Sequence, residues 1–143
     1  MHILFSPASD PMLLDSLEGM NGTHKRLIEF LASSQAEITL AAESSGSPAP
    51  YDAFLSGFRI RKSDGPVYLA LTDDGYLNLR GSLDNLSRYF ASFKFESDEE
   101  MQHHHPEQIF QNGRPLLGCV APDSLSLLVE VDSLHVADLK SES

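Results

Sequence analysis

Alternating apolar and polar residues predict most of the strands in this chain. The clearest alternation runs from Glu37 to Glu43, where Ile38, Leu40 and Ala42 share one side. Because successive side chains of a strand point to opposite faces, this segment is expected to pack one face on an apolar core. Shorter apolar runs bounded by turn residues predict further strands at residues 3–5, 12–17, 54–60, 67–71, 76–79 and 125–131.

Turns with glycine and proline join three of these strands. Residues 63–66 and 73–75 both contain a glycine, which tolerates the positive φ that hairpin turns require. The strands at 54–60, 67–71 and 76–79 are therefore expected to form an antiparallel meander. In the last strand of the chain, the residues expected to face inward are Leu125, Leu127, Val129 and Val131.

Two segments have apolar residues at helical spacing. Thr23 is expected to cap the first helix, because its hydroxyl can accept a hydrogen bond from a free N–H of the first turn. Ser82 is expected to cap the second helix in the same way. The two apolar faces consist of Leu27, Phe30 and Leu31 in the first helix and of Leu83, Leu86, Phe90 and Phe93 in the second.

The two helix starts also resemble each other in sequence. Residues 22–33 match residues 81–92 at an offset of 59, with equivalent residues at the cap and on the apolar face. Residues 50–54 match residues 106–110 more loosely, at an offset of 56. This similarity predicts two related strand-helix-strand units, a pseudo-repeat over residues 1–62 and 63–135. The alternative is that two capped amphipathic helices look alike by chance.

These patterns together predict an α+β fold in a single domain, residues 1–143. A chain of 143 residues is long enough to bury one sizeable core. The expected architecture is a mainly antiparallel sheet with the two helices packed on one of its faces. Residues 140–143 are expected to be flexible, as chain ends commonly are.

The charge balance changes the picture of what this domain can bind. Twenty-one acidic residues against ten basic ones give a formal net charge of −11. Such a field repels nucleic acid and anionic membranes and attracts a basic partner. The excess is uneven, because residues 73–143 carry 13 acids and 5 bases. The alternative is that the acidity serves solubility alone.

The single cysteine and the N-terminus bear on the compartment. Cys119 lies in an apolar stretch, which favours a buried structural thiol over a nucleophile, and one cysteine cannot form an internal disulfide. The N-terminal residues lack the basic region and the length of a secretory signal, and no stretch reaches the roughly 20 apolar residues of a membrane span. The sequence therefore predicts a cytoplasmic protein.

The segment from Glu96 to Glu107 concentrates the titratable groups, with five acids and three of the six histidines. If it is extended, His103, His105 and Glu107 point to one side and His104 to the other. Two imidazoles and a carboxylate on one face could bind zinc, hold a proton near neutral pH or contact a basic group of a partner. A run of histidines beside acids is, however, more often a solvated surface than a site.

The chain also resembles a known family at three places: the helix start at residues 81–86, the His-His-His-Pro-Glu segment at 103–107, and the Ala-Pro-Asp-Ser strand entry at 121–131. In these segments it is similar to the small α+β immunity proteins catalogued as immunity protein thirty-two of bacterial polymorphic toxin systems. Where that family has an aromatic residue after the glutamate, this chain has Gln108. The resemblance implies a non-catalytic inhibitor of a co-encoded toxin, with no cofactor.

Two functions of different classes follow. In the first, an acidic surface occludes the active site of a basic toxin, expected to be a nuclease. The candidate contacts are Glu96, Asp98, Glu99, Glu100, His103, His105 and Glu107.

In the second, His103, His105 and Glu107 bind a metal ion in a hydrolase, although no common catalytic motif accompanies them. A structural or adaptor module that forms a homodimer through an edge strand is a third alternative.

Overall fold

The computed structural model describes residues 1–96 and 102–141, and these form an α+β fold, as the sequence predicts. The helices are α1 (Leu17–Ala32), α2 (Leu83–Phe90), which continues into a 3₁₀ turn (Ala91–Phe93), and α3 (Ser133–Ser141). The strands are β1 (His2–Phe5), β2 (Met12–Asp15), β3 (Glu37–Ala41), β4 (Ala53–Phe54), β5 (Gly57–Lys62), β6 (Tyr68–Leu71), β7 (Tyr76–Gly81), β8 (Gln102–His104), β9 (Phe110–Gln111), β10 (Arg114–Pro115) and β11 (Leu128–Val131).

The strands form two main sheets where the sequence predicts one. A five-stranded sheet has the order β4-β1-β2-β11-β8, and a four-stranded sheet has the order β3-β5-β7-β6. A two-stranded ribbon, β9-β10, lies apart from both. The predicted strand at 54–60 is divided between the sheets, because β4 pairs with β1 and β5 pairs with β3 and β7. Pairing is antiparallel except between β2 and β11 and between β5 and β7.

The predicted meander of three antiparallel strands is wrong. Strand β7 lies between β5 and β6, and it runs parallel to β5. The connection after β5 does not close a tight hairpin, because it is bonded to the start of α2. Both the backbone N–H of Ser82 and the side-chain amide of Asn85 donate to the carbonyl of Gly65, at 3.1 and 3.0 Å. This connection leaves β6 at the edge of the sheet.

The two sheets share one order of pairing. In each sheet a hairpin (β1-β2 or β6-β7) is followed by a strand parallel to its second member (β11 or β5), and then by an antiparallel strand (β8 or β3). Each hairpin comes from one half of the chain and the two other strands come from the other half. Duplication with exchanged strands would produce this order, and the duplication itself stays a prediction.

The predicted start of the first helix is wrong by about two turns, since α1 begins at Leu17 and not near Thr23. Ser16 is the cap, and its hydroxyl accepts a hydrogen bond from the N–H of Gly19 at 3.0 Å. Thr23 is buried within the helix. The proposed equivalence of Thr23 and Ser82 is therefore wrong, whereas the cap at Ser82 is confirmed.

One apolar core connects both sheets with α1 and α2. Leu27 and Phe30 of α1 are buried there, as predicted, and Leu31 is partly buried against it. From the second helix, Leu86, Phe90 and Phe93 are also buried, but Leu83 is 51% exposed, against the prediction. The exception arises because Leu83 is the first helical residue, next to the cap, where the side chain is directed away from the core.

A smaller apolar cluster lies on the opposite face of the five-stranded sheet, under α3, a helix that the sequence did not predict. It contains Leu4, Met12, Leu14, Val136 and Leu139. The helix has only nine residues, and Leu134 breaks its apolar pattern by pointing to solvent. Its last two residues are 140 and 141, which the sequence predicted to be flexible; residues 142 and 143 lie outside the described part of the chain.

The remaining predictions concern the last strand and the cysteine. Leu127, Val129 and Val131 are buried as predicted, but β11 begins only at Leu128, and Leu125 is 39% exposed. Leu125 lies outside the strand, where its N–H donates to the carbonyl of Leu69. Cys119 is a free, buried thiol, as expected.

Candidate functional site

Strand β8 places the histidine segment at an edge of the five-stranded sheet. It pairs antiparallel with β11, so that His104 lies opposite Val129 and His103 opposite Glu130. Within residues 1–96 and 102–141, no strand pairs with the other edge of β8. The described strands therefore hold the segment on one side only.

His104 is directed inward, away from the two other histidines. Its ring stacks on Phe95, with centroids 4.1 Å apart and planes 6° from parallel. Its Nδ1 lies 2.8 Å from the carbonyl of Ser92, and because a carbonyl only accepts, Nδ1 carries the proton of this bond. His104 thus fixes β8 to the 3₁₀ turn and has a structural role.

His103, His105 and Glu107 lie next to one another. The rings of His103 and His105 meet edge to face at 5.5 Å, and Nδ1 of His105 is 3.7 Å from Oε1 of Glu107. The other oxygen of Glu107 accepts the N–H of Leu127 at 3.5 Å. The histidines line an open cavity of about 610 Å³ whose wall also contains Arg88, Ser92, Gln108, Ile109 and Phe110. A partner side chain or a small polar ligand would fit in this space.

The predicted acidic contacts are placed only in part. Glu96 is exposed at the end of the first described segment. Asp98, Glu99 and Glu100 lie outside the described residues. Their role in partner binding stays a prediction, and so does that of His103, His105 and Glu107.

A second polar group lies where β11 ends and α3 begins. Glu130 belongs to β11, Asp132 directly precedes α3, and His135 is in its first turn. One donor atom from each lies within 4.8 Å of the other two, a spacing that a metal ion could draw together. Within residues 1–96 and 102–141 no other trio of such residues is close enough to hold a metal ion. The alternative metal set of the sequence analysis, His103, His105 and Glu107, is therefore not brought together as a metal site.

The sequence contained a signal for this second group. In Glu130-Val131-Asp132, strand alternation directs the two carboxylates to the same face. This signal is incomplete in the sequence, because His135 has no position relative to the two acids until α3 is known.

Burial and neighbouring charge act on Glu130. Its pKa is raised mainly by burial and further by the charge of Asp132, while His103 and His135 oppose the shift. Tyr51 is nearby, and its pKa is raised by burial and then by Glu130 and Asp10. The local field on this face of the sheet is therefore negative.

Charged side chains are distributed unevenly between the two sheets. The five-stranded sheet, α3 and the loop residues 6–11, 42–52, 105–107 and 132 carry eight acids and one basic side chain, Lys140; the N-terminal ammonium, which pairs with Asp15 at 3.3 Å, is a second positive group. We call these acids the acidic side: Asp10, Asp15, Glu43, Asp52, Glu107, Glu130, Asp132 and Asp138. Within the described segments no arginine forms an ion pair with any of them.

The strands of the four-stranded sheet carry a positive excess, although the turns beside them add Asp64, Asp73 and Asp74. These strands contain Arg59, Arg61, Lys62 and Arg80 and one acid, Glu37. Two of the arginines lie over tyrosine rings, Arg59 over Tyr76 at 3.9 Å and Arg80 over Tyr68 at 4.9 Å. Arg59 also pairs with Asp74 at 2.8 Å, and within the described residues none of these bases pairs with an acid of the acidic side.

Comparison of the chain with protein-family models, with curated proteins and with solved structures returns no match. The resemblance to immunity proteins accordingly stays a prediction. Among the described residues, no helix is long and apolar enough to cross a membrane.

Proposed function

We propose that this protein is a non-catalytic inhibitor that binds a basic protein partner through its acidic side. The observation that carries the proposal is the separation of charge between the two sheets. A net charge of −11 spread evenly would favour solubility without favouring any face. Eight acids against Lys140 and the N-terminal ammonium, on one sheet with its helix and adjoining loops, instead favour a directed field.

Such a field acts mainly on the rate of association. A pair of unit charges 10 Å apart in water attract by only about 0.4 kcal/mol, but several pairs acting together orient an approaching partner. The screening length is about 10 Å at 0.1 M salt, so the attraction operates over the last stage of approach. Short-range contacts then determine how long the complex lasts.

The histidine segment supports the proposal as a source of short-range contacts. His103 and His105 line the open cavity, and among the described strands only β11 pairs with β8. An extended partner segment could pair with the other edge of β8, and the cavity beside it could accept one of the partner's polar side chains. The resemblance to immunity proteins, together with this surface, supports a bacterial toxin acting in the cytoplasm as the partner.

The test is a rescue experiment. The chain is co-expressed in a susceptible bacterium with the product of the gene encoded next to its own. Restored growth and a complex that survives purification are expected. Toxicity that the chain leaves unchanged, or a neighbour that is not toxic, would contradict the immunity function.

A second experiment distinguishes the effect of the acidic side on association from the effect of net charge. Asp52→Lys with Asp138→Lys changes two exposed acids of the acidic side, and Asp64→Lys with Asp73→Lys makes the same change in charge beside the four-stranded sheet. We expect the first pair to slow association with the purified partner several-fold more than the second, and added salt to remove the difference. Equal effects from both pairs would show that net charge alone matters.

A further inference from the structure

We propose that Glu130, Asp132 and His135 form a binding site for a divalent transition metal ion, with zinc as the best fit. The proposal does not rest on the inhibitor function, although Glu130 and Asp132 also belong to the acidic side. None of the three residues belongs to the alternative metal set His103, His105 and Glu107 that the sequence offered.

The first argument is the position of the three donor groups. They come from the end of a paired strand and the first turn of a helix that packs on the same sheet, so rigid elements hold them. Their donor atoms lie within 4.8 Å of one another. Ligands of a tetrahedral zinc ion lie about 3.5 Å apart, so changes of side-chain torsion in the half-buried Asp132 and His135 would be enough.

The second argument is the state of Glu130. This residue is 7% exposed as a whole, although neither of its carboxylate oxygens is among the described buried atoms that lack a hydrogen-bond partner. A carboxylate that is largely removed from water favours a cation beside it. A cation between Glu130 and Asp132 would remove the repulsion between the two acids.

The role of Asp132 as a helix cap is compatible with the site. Its Oδ1 accepts the N–H of His135 at 3.1 Å, which leaves the second oxygen for an ion. The same bond fixes the helix start and so holds His135 beside the carboxylates. A cap alone would explain Asp132, but it would not explain the buried Glu130 next to it.

The ligand types favour zinc over calcium or magnesium. Imidazole nitrogen suits zinc and related transition metals, whereas calcium and magnesium prefer oxygen ligands only. His103 lies directly across the strand pair from Glu130 and is placed to supply a fourth ligand. With His103 the site would be closed by four protein ligands, as structural zinc sites are.

The experiment measures zinc binding to the whole chain by calorimetry in a buffer that does not chelate metal. The site variants are Glu130→Gln and His135→Gln. The matched controls, Glu107→Gln and His105→Gln, remove the same residue types from the neighbouring segment. Circular dichroism and thermal unfolding confirm that each variant folds.

Saturable binding of one zinc ion by the unmodified chain is expected, with affinity reduced about tenfold to a hundredfold or more in each site variant. The controls should stay within about twofold of the unmodified chain, a difference of under roughly 0.4 kcal/mol. Two results would overturn the proposal: no saturable zinc binding by the unmodified chain, or a loss in the controls as large as in the site variants. If a site variant does not fold, Co²⁺ binding followed by visible absorption in His135→Asn takes its place.

Discussion

The Leu139 side chain holds α3 against the five-stranded sheet, and its truncation to alanine tests how this helix is fixed. The helix buries two side chains, those of Val136 and Leu139, against the sheet. A helix of nine residues is marginal by itself in water, so its stability depends on this packing. The variant Leu139→Ala should therefore loosen the whole helix and, with it, His135.

The expected cost follows from the burial. Leu139 is 3% exposed in a small cluster, and replacing a buried leucine with alanine costs about 2–5 kcal/mol. The low end of this range applies, because α3 can detach before the main core is disturbed. The burial of each of the two side chains contributes about 1.5–3 kcal/mol to the docking of α3 on the sheet. Because α3 can detach by itself, the loss of stability cannot exceed the free energy of this docking. We expect a loss of about 2–3 kcal/mol, or roughly 6–12 °C in Tm.

The same helix supplies the control. Leu134 is 81% exposed, so Leu134→Ala should change the free energy of unfolding by about 0.5 kcal/mol or less. Urea unfolding gives the two free energies, and hydrogen exchange shows whether the amides of residues 133–141 lose protection before those of the core. If the two variants are equal in stability, the docking of α3 described above is incorrect.

Three further predictions concern single residues. Gly46 has φ near +80°, and an added Cβ would lie 2.7 Å from the carbonyl oxygen of Leu139. Gly65 has a similar φ of +87°, but an added Cβ there would meet no other atom within 4 Å. In urea unfolding, Gly46→Ala should therefore lower the free energy of unfolding more than Gly65→Ala does. Ser16→Ala should cost about 1 kcal/mol through loss of the α1 cap, and a change near zero in thermal unfolding would argue against that cap. The pKa of buried His2 is lowered, chiefly by burial. The unfolded chain therefore binds a proton at His2 more readily than the folded chain does, so the free energy of unfolding should fall as the pH drops below 6.5. Urea titrations at about pH 7.5 and 5.5 should show a weaker pH dependence for His2→Gln than for the unmodified chain.

His103 takes part in both proposals, as a candidate partner contact and as the fourth zinc ligand, but the two proposals are tested separately. A zinc ion would add positive charge to the acidic side and would lower its attraction for a basic partner. Metal-free protein should then associate with the partner faster than zinc-loaded protein. Loss of zinc binding leaves the inhibitor proposal intact, and failure of the rescue experiment leaves the zinc site intact.

Local patterns allowed the sequence to predict those parts of the fold that depend on neighbouring residues. The alternation around Leu40 predicted β3, and the spacing of Leu86, Phe90 and Phe93 predicted the buried face of the second helix. The cap at Ser82 was predictable because it involves a hydrogen bond across only three residues. The opposed orientations of His103 and His104 followed from strand alternation alone. In each case the residues involved lie within one helix or one strand, close together in the sequence.

Features that depend on distant segments were decided by the tertiary structure. The parallel pairing of β5 with β7 is accompanied by bonds between Gly65 and the start of α2, and the periodicity of the sequence does not predict such long-range bonds. Strands from both halves of the chain share each sheet, so the positions of the charged residues relative to the two sheets could not be read from the order of the sequence. The group of Glu130, Asp132 and His135 exists because a short helix packs on two buried side chains. The sequence determined which residues are apolar, charged or able to cap, but long-range pairing, in which many small energies compete, determined which of them meet.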